Sequence, residues 1–213
     1  TEKKAPFTMS QVFPLDRILE AAIFAAQKHQ GHVRKDDRGS PYITHPLQVA
    51  QVLWDIGGVR DRQTLIAAIL HDTIEDTRTT PAEVREAFGE QVLAIVLEVS
   101  DDKSLEKMTR KRLQVEHAPE LSNPARLIKL GDKLVNCQDI LENPPSDWTL
   151  TRRRNYIQWG ADVIAQIRGT KAPLETAFDR MLAEAEAQLN FTIQTFETLE
   201  NRPWGPTPSN KEE

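Results

Sequence analysis

The sequence predicts an all-α fold. Glycine is scarce, with nine residues in a chain of 213, and nearly every apolar run has the three- or four-residue spacing of a helix. An apolar fraction of 39% and a charged fraction of 28% are ordinary for a globular domain. We expect a single helical domain over residues 11–200, between a flexible N-terminus (1–10) and a disordered proline-rich tail (201–213).

The first three helices are predicted from apolar faces and from residues that start or stop a helix. Pro46 suits a first helical turn, Gly57 ends the apolar pattern that follows it, and Asp61 can open the next helix. The predicted ranges are 15–26, 46–56 and 61–71. His45 then stands at the start of the second helix and His71 at the end of the third.

The later helices follow from capping and apolar spacing. Thr80 and Glu83 have the spacing of a capping box, and Gly89 stops the helix that they begin. The predicted ranges are 80–88, 92–99, 125–141, 152–168 and 174–200, with a bend over 73–79 and a charged stretch over 101–117. On the helix over 125–141, Asp132 and Asn136 are four residues apart and share one face.

An unusual number of ionisable residues follows the third helix, where the chain reads Ile-Leu-His-Asp-Thr-Ile-Glu-Asp over 69–76. Buried charges are costly unless they are paired or bind a metal. Imidazole and carboxylate together suit a divalent ion of intermediate softness, with manganese preferred and zinc or iron(II) as alternatives. Such an ion lowers the pKa of its bound water and polarises phosphoryl oxygens, which is the chemistry of a phosphohydrolase.

Composition limits the partners. A net charge of −5 argues against nucleic acid, yet basic residues cluster at Arg34, Lys35, Lys103 and 107–112, as a small polyanionic ligand would require. For 107–112 the sequence favours a solvated helix face, and we expect Lys103 to contribute to the site. No apolar run reaches membrane-spanning length or suggests a signal peptide. The single cysteine, Cys137, cannot form an internal disulfide, so we expect a reducing cytoplasm.

A set of spaced segments resembles the HD-domain hydrolases of the RelA/SpoT group, in particular the stand-alone small alarmone hydrolases. The segments read Arg-Lys-Asp-Asp-Arg-Gly-Ser-Pro-Tyr-Ile-Thr-His-Pro, His-Asp-Thr-Ile-Glu-Asp-Thr and Lys-Leu-Gly-Asp-Lys-Leu-Val-Asn, over 34–46, 71–77 and 129–136. Shorter matches lie at 100–103 and 111–114. Together they span about residues 15 to 170 in family order.

The resemblance implies an HD-type helical bundle with a metal site between helices. The manganese ligands that it implies are His45, His71, Asp72 and Asp132. Glu75 and Asp76 would position or activate the attacking water. The implied reaction removes pyrophosphate from the ribose 3′ position of (p)ppGpp.

The resemblance also assigns substrate contacts. Arg34 would stack on the base, Lys35 would neutralise phosphate, and Asn136 would make a polar contact with the ribose. Tyr156 is carried over as a further residue on the substrate side, and Lys103 is the remaining candidate for binding phosphate.

Two departures from the family pattern leave the substrate open. Gly131 stands where an alanine is usual before the ligand aspartate, and Gln138 stands where an arginine is common. A guanine alarmone, an adenine alarmone such as (p)ppApp, or NADPH would present similar groups to the metal. Another HD-type nucleotide phosphohydrolase and an inactive nucleotide-binding module are the alternatives, although every expected ligand is present.

Two further expectations concern the whole chain. We expect an enzyme that only degrades, since no synthetase region follows the hydrolase segments. No predicted helix offers an unambiguous interface stripe, so the sequence leaves the oligomeric state undetermined.

Overall fold

The computed structural model describes residues 14–36 and 38–205, and over these ranges it is helical. The predicted N-terminus of residues 1–10 and the tail beyond Gly205 lie outside the described residues. The α-helices are α1 (Pro14–Lys28), α2 (Thr44–Asp55), α3 (Arg62–Leu70), α4 (Thr73–Asp76), α5 (Pro81–Phe88), α6 (Glu90–Val99), α7 (Lys107–Glu116), α8 (Asn123–Glu142), α9 (Leu150–Ala165) and α10 (Ala172–Leu189). A 3₁₀ turn, Ala118–Glu120, precedes α8.

Helix α3 lies at the centre of the bundle and packs against α1, α2, α6 and α8. Apolar residues surround this helix on all sides, and every residue from Thr64 to Leu70 is buried. Asp61 caps its N-terminus by accepting hydrogen bonds from the backbone N–H (2.8 Å) and hydroxyl (2.6 Å) of Thr64. The rigid central helix therefore fixes the position of the His71-Asp72 pair that follows it.

Helix α8 is the second helix that positions the site, because small residues let its neighbours approach closely. A Cβ added at Gly131 would lie 3.2 Å from the side chain of Leu53 on α2. A Cβ added at Gly160 on α9 would lie 2.8 Å from the Sγ atom of Cys137 on α8. Glycine at these two positions brings α2 and α9 against the helix that carries Asp132.

The all-α prediction is confirmed, and so is the capping box, in which Thr80 and Glu83 bond each other's backbone N–H groups. The predicted bend over 73–79 contains the short helix α4. Among the described residues the only β-type pairing is one antiparallel bridge, Val33 with Pro41, which closes the loop before α2. In that part of the chain, no helix is both long enough and apolar enough to cross a membrane.

The last helix was predicted to run to residue 200, and this is wrong. Helix α10 ends at Leu189, because Asn190 adopts the left-handed conformation with φ of 50°. Arg154 stabilises this end by donating to the carbonyl oxygens of Leu189 (2.5 Å) and Asn190 (2.9 Å).

Residues 190–205 fold back along α9, and we call them the C-terminal strap. The strap includes the first five residues of the predicted disordered tail, yet Arg202 pairs with Asp162 and Trp204 is 1% exposed. The described part of the predicted tail, residues 201–205, thus packs against the helical domain. A buried ion pair and a buried indole offset the entropy lost in ordering this segment.

Candidate metal centre and active site

Four side chains from three parts of the bundle meet at one point. His45 comes from the first turn of α2, His71 and Asp72 follow α3, and Asp132 lies midway along α8. The Nε2 atom of His45 lies 3.1 Å from Asp132 Oδ1 and 3.7 Å from Asp72 Oδ2. The Nε2 atom of His71 lies 3.2 Å from Asp72 Oδ2 and 3.7 Å from Asp132 Oδ1. Two imidazole nitrogens and two carboxylate oxygens thus converge.

The donor set fits a divalent cation. The Nδ1 atom of His71 lies 2.7 Å from the carbonyl oxygen of Ala68, so Nδ1 carries a hydrogen and Nε2 is the ring nitrogen directed at the carboxylates. This Nε2 atom is buried and has no hydrogen-bond partner among the described residues. His45, His71 and Asp72 offer ligand atoms that all lie within 4.8 Å of one another. Mixed imidazole and carboxylate ligands suit several transition metals, so this set does not select one.

The charges of the cluster favour a cation as well. Burial opposes ionisation of both aspartates, yet Lys133 and His45 hold the pKa of Asp132 well below its ordinary value. His71 likewise outweighs burial and lowers the pKa of Asp72. Burial alone would lower the pKa of His71, but the charge of Asp72 raises it well above its ordinary value. The two carboxylates therefore draw positive charge into the site, which a divalent cation satisfies.

Neighbouring polar groups orient Asp132, a candidate ligand. Its Oδ2 atom lies 3.1 Å from the Nζ atom of Lys133, and its Oδ1 atom accepts a 2.5 Å hydrogen bond from the amide of Asn136. Asn136 shares a helix face with Asp132, as predicted, and its amide nitrogen donates to the carboxylate of Asp132. Such contacts fix the orientation of a metal ligand.

Tyr42 is a site residue to which sequence reasoning assigned no role. Its hydroxyl donates to Asp72 Oδ2 at 2.5 Å and lies 3.4 Å from Asp76 Oδ2. Burial and these carboxylates raise the pKa of Tyr42, so the phenol keeps its proton and remains a donor. The only sequence signal for Tyr42 is its position three residues before His45, inside the segment over 34–46.

Glu75 and Asp76 are held in place by Lys103. Helix α4 carries both carboxylates on the turn after Asp72. The Oε2 atom of Glu75 accepts a 2.8 Å hydrogen bond from the backbone N–H of Asp101, and Lys103 Nζ lies 3.1 Å from Glu75 Oε1 and 2.6 Å from Asp76 Oδ1. Burial raises the pKa of Glu75 despite these contacts. A carboxylate with a raised pKa is suited to accept a proton near neutral pH.

The cluster opens into a cavity of about 960 Å³. All eleven side chains named from the sequence line this cavity, at positions 34, 35, 45, 71, 72, 75, 76, 103, 132, 136 and 156. Arg34 is paired with Asp139 on α8. Lys103 is paired with the two α4 carboxylates, so its charge is partly neutralised before any ligand binds.

Further cations in the cavity wall were not predicted as site residues. Lys107, Arg110 and Lys111 on α7 line the cavity, although a solvated helix face seemed favoured for this stretch. Burial lowers the pKa of Lys107, and the charges of Arg152 and Lys35 lower it further. Such an effect requires these cations to lie close to one another. One wall of the cavity is therefore basic.

An aromatic wall adjoins the basic one. Trp148 and Tyr156 are in edge-to-face contact with ring centroids 5.4 Å apart, and Tyr156 and Trp159 make the same contact at 5.4 Å. Sequence reasoning saw no function for Trp148, Trp159 or Trp204, and all three line the cavity. The wall joins residues from α9, the loop before it and the C-terminal strap, so no single segment of sequence indicates it.

Fold and site together define the class of protein. The HD domain profile matches residues 21–159, a range that includes the whole metal cluster, and the chain belongs to this family. The profile ends at Trp159, so the C-terminal strap lies beyond it.

Relatives narrow the class further. The guanosine-3′,5′-bis(diphosphate) 3′-pyrophosphohydrolases MESH1 of Xenopus tropicalis and Homo sapiens are 50% and 48% identical to this chain over 167 and 168 residues. Those matches cover 78% and 79% of this chain and 93% and 94% of the relatives. A solved structure described as a metazoan ortholog of SpoT that hydrolyzes ppGpp has a TM-score of 0.79 at 41% identity, covering 82% of this chain and 98% of the other.

The chain therefore belongs to the HD-domain hydrolases of the RelA/SpoT group, alongside the MESH1 proteins. The predicted family, fold and enzyme class, a hydrolase, are confirmed.

Proposed function

We propose that this protein is a metal-dependent 3′-pyrophosphohydrolase of (p)ppGpp. The observation that carries the proposal is the cavity itself, which joins a buried cluster of two histidines and two aspartates to a basic and an aromatic wall. A nucleotide with phosphate groups at two positions presents matching charges and a flat base. The names of the MESH1 relatives support the same substrate.

The cation is the component for which the cluster is built. A bound divalent ion, manganese by preference with zinc or iron(II) as alternatives, supplies a water of lowered pKa and positive charge beside the phosphoryl oxygens. His45, His71, Asp72 and Asp132 are the proposed ligands. Ala68 fixes the His71 ring through Nδ1, while Lys133, Asn136 and Tyr42 orient the two aspartates.

Glu75 is the proposed general base. The N–H of Asp101 and the ammonium of Lys103 hold its carboxylate, and its raised pKa lets it take a proton from the attacking water. The water oxygen forms a bond to the phosphorus on the ribose 3′ oxygen, and the bond from that phosphorus to the 3′ oxygen breaks. Pyrophosphate leaves, and the 3′ oxygen takes up a proton. Asp76, held by Lys103, orients the water.

The walls position the rest of the nucleotide. We propose that Arg34 and Tyr156 stack on the base, and that Lys35 and Lys107 neutralise phosphate. Stacking does not distinguish guanine from adenine, so (p)ppApp is a second proposed substrate of the same reaction.

The test is a substrate panel with purified protein and manganese. Anion-exchange chromatography should show hydrolysis of ppGpp in preference to NADPH, GTP and ATP, and a chelator should abolish it. Replacing manganese with zinc or iron(II) ranks the metals. Asp72→Ala and Glu75→Ala should each lower kcat by roughly a hundredfold to ten-thousandfold.

Asp55→Ala is the matched control, because Asp55 is an exposed carboxylate outside the cavity. Wild-type rates in either active-site variant would contradict the mechanism, and preferred hydrolysis of NADPH or GTP would contradict the substrate.

A further inference from the structure

The C-terminal strap is attached firmly to the helix that carries the aromatic wall. Arg202 donates to both carboxylate oxygens of Asp162, at 2.7 and 2.9 Å, and these side chains are 5% and 1% exposed. The amide side chain of Gln158 accepts from the backbone N–H of Gln194 at 2.8 Å and donates to its carbonyl at 2.9 Å. A bidentate buried pair gives the strap a fixed geometry.

This attachment places the strap beside the substrate cavity. Gln158 and Asp162 lie one helical turn apart on α9, the helix that supplies Tyr156 and Trp159 to the cavity wall. Two residues beyond Arg202, Trp204 reaches the same cavity. The strap is therefore part of the wall.

Trp204 presents an unsatisfied hydrogen-bond donor. The residue is 1% exposed, and its indole N–H has no acceptor among the described residues. Buried donors in folded proteins nearly always have a partner, and indole is a donor only. Because Trp204 lines the cavity, a ligand with an acceptor oxygen can provide the missing partner.

Lys111 presents a cation without a counterion at the same place. Its Nζ atom lies 4.6 Å from the ring centroid of Trp159, 5.3 Å from Tyr156 and 5.6 Å from Trp204. In the described ranges it forms no salt bridge, and the charges nearest to it include those of Lys107 and Lys133. Burial and these cations lower the pKa of Lys111 to about 8. An anion bound here would pair with the ammonium and with the indole N–H of Trp204.

The place is close to the metal cluster but separate from it. The Nζ atom of Lys133 lies 4.2 Å from the Trp159 ring centroid and 3.1 Å from the ligand Asp132. Both ammonium groups thus contact the indole of Trp159. The indole and Lys133 lie between Lys111 and Asp132. A nucleotide with its 3′-phosphates at the metal can extend its other phosphates that far.

We propose that Lys111 and Trp204 form a phosphate subsite for the 5′-phosphate chain of the nucleotide, the chain that is not hydrolysed. The inference rests on the proposed function. Lys111 neutralises a phosphate oxygen, and Trp204 donates its indole N–H to another. The strap is then a specificity element, which favours substrates with phosphates at both ends of the ribose.

Equilibrium binding in a chelator separates this subsite from the chemistry, because no turnover occurs. Isothermal titration calorimetry compares ppGpp with guanosine 3′-diphosphate, which lacks the 5′ phosphates. Trp204→Phe keeps an aromatic ring and removes the N–H, and Lys111→Met keeps the apolar stem and removes the charge. Each should weaken ppGpp binding by about tenfold, the loss of one hydrogen bond to a charged group. Binding of guanosine 3′-diphosphate should change less than about twofold.

Trp54→Phe is the matched control, since Trp54 is 44% exposed and lies outside the cavity. With manganese, Trp204→Phe should raise KM for ppGpp and leave kcat near the wild-type value.

If both nucleotides bind the variants more weakly by the same factor, the strap is only a structural wall and the proposal is overturned. Unchanged ppGpp binding in both variants would also overturn it. If wild-type protein binds ppGpp through the subsite but does not hydrolyse it with any of the three metals, the proposed function fails and the subsite stands.

Discussion

Single residues in this site act mainly by compensating charge. Lys103 is 46% exposed, yet its ammonium lies between the carboxylates of Glu75 and Asp76. The clustering of basic residues suggested that Lys103 binds phosphate, whereas its contacts indicate that it tunes the proposed base. Lys107 and Lys111, which lack such carboxylate partners in the described ranges, are better placed to meet phosphate.

Replacing Lys103 tests this assignment. Glu75 must be ionised to accept a proton, burial raises its pKa, and Lys103 counteracts part of that rise. In Lys103→Met the pKa of Glu75 should rise further. When the pH is lowered, the variant should therefore lose activity at a higher pH than the wild-type protein does. We expect the acidic limb of the kcat/KM profile to move to higher pH, and the shift to be modest because the lysine is half exposed.

Lys28→Met is the control, because Lys28 pairs with Glu83 away from the cavity. An unchanged acidic limb together with a raised KM would instead assign Lys103 to the phosphates.

The proposed ligands could be named from the sequence, and Tyr42 could not. His71 and Asp72 stand in a segment whose residue types suggest metal chemistry, and the family resemblance adds His45 and Asp132. The role of Tyr42 depends on how the loop over 33–41 closes, since its hydroxyl meets a carboxylate 30 positions along the chain. A contact between residues so far apart in sequence depends on the tertiary structure, so the sequence does not indicate it.

At the scale of helices, close packing against α8 determines where the ligands meet. Of the two glycine contacts that involve α8, the one at Gly160 is the tighter, because an added Cβ would overlap with the Sγ atom of Cys137. This contact sets the distance between α8, which carries Asp132, and α9, which carries the aromatic wall and anchors the strap.

We predict that Gly160→Ala lowers the free energy of unfolding. The overlap costs about 1–3 kcal/mol, and the better helix propensity of alanine returns up to about 1 kcal/mol. Cys137→Ala in the same chain should relieve the overlap, so the double variant should be more stable than the sum of the two single effects predicts. Urea unfolding measures all four proteins. Additive effects would show that the contact does not constrain the helices.

Helix ends were harder to predict than helices. The capping box at Thr80 is a local signal and was read correctly. The end of α10 at Leu189 depends on Asn190 and on Arg154 from another helix, and the order of the strap depends on Asp162. The proline-rich composition of the last residues suggests disorder, and composition alone gives no sign of the buried Arg202–Asp162 pair or the buried Trp204.

Over the whole molecule, a chain of net charge −5 contains a cavity that joins the His and Asp cluster to a basic wall. The cluster would hold a cation, and the basic wall would hold the phosphates that the cation does not contact. This division accounts for an acidic protein that is proposed to bind a polyanion.

The most direct test of the central claim is ³¹P NMR of ppGpp incubated with the purified protein and manganese. The account predicts that GDP and pyrophosphate appear in equal amounts, and that neither appears with Asp72→Ala or after addition of a chelator. Release of orthophosphate, loss of the 5′ phosphates, or unchanged ppGpp would contradict it.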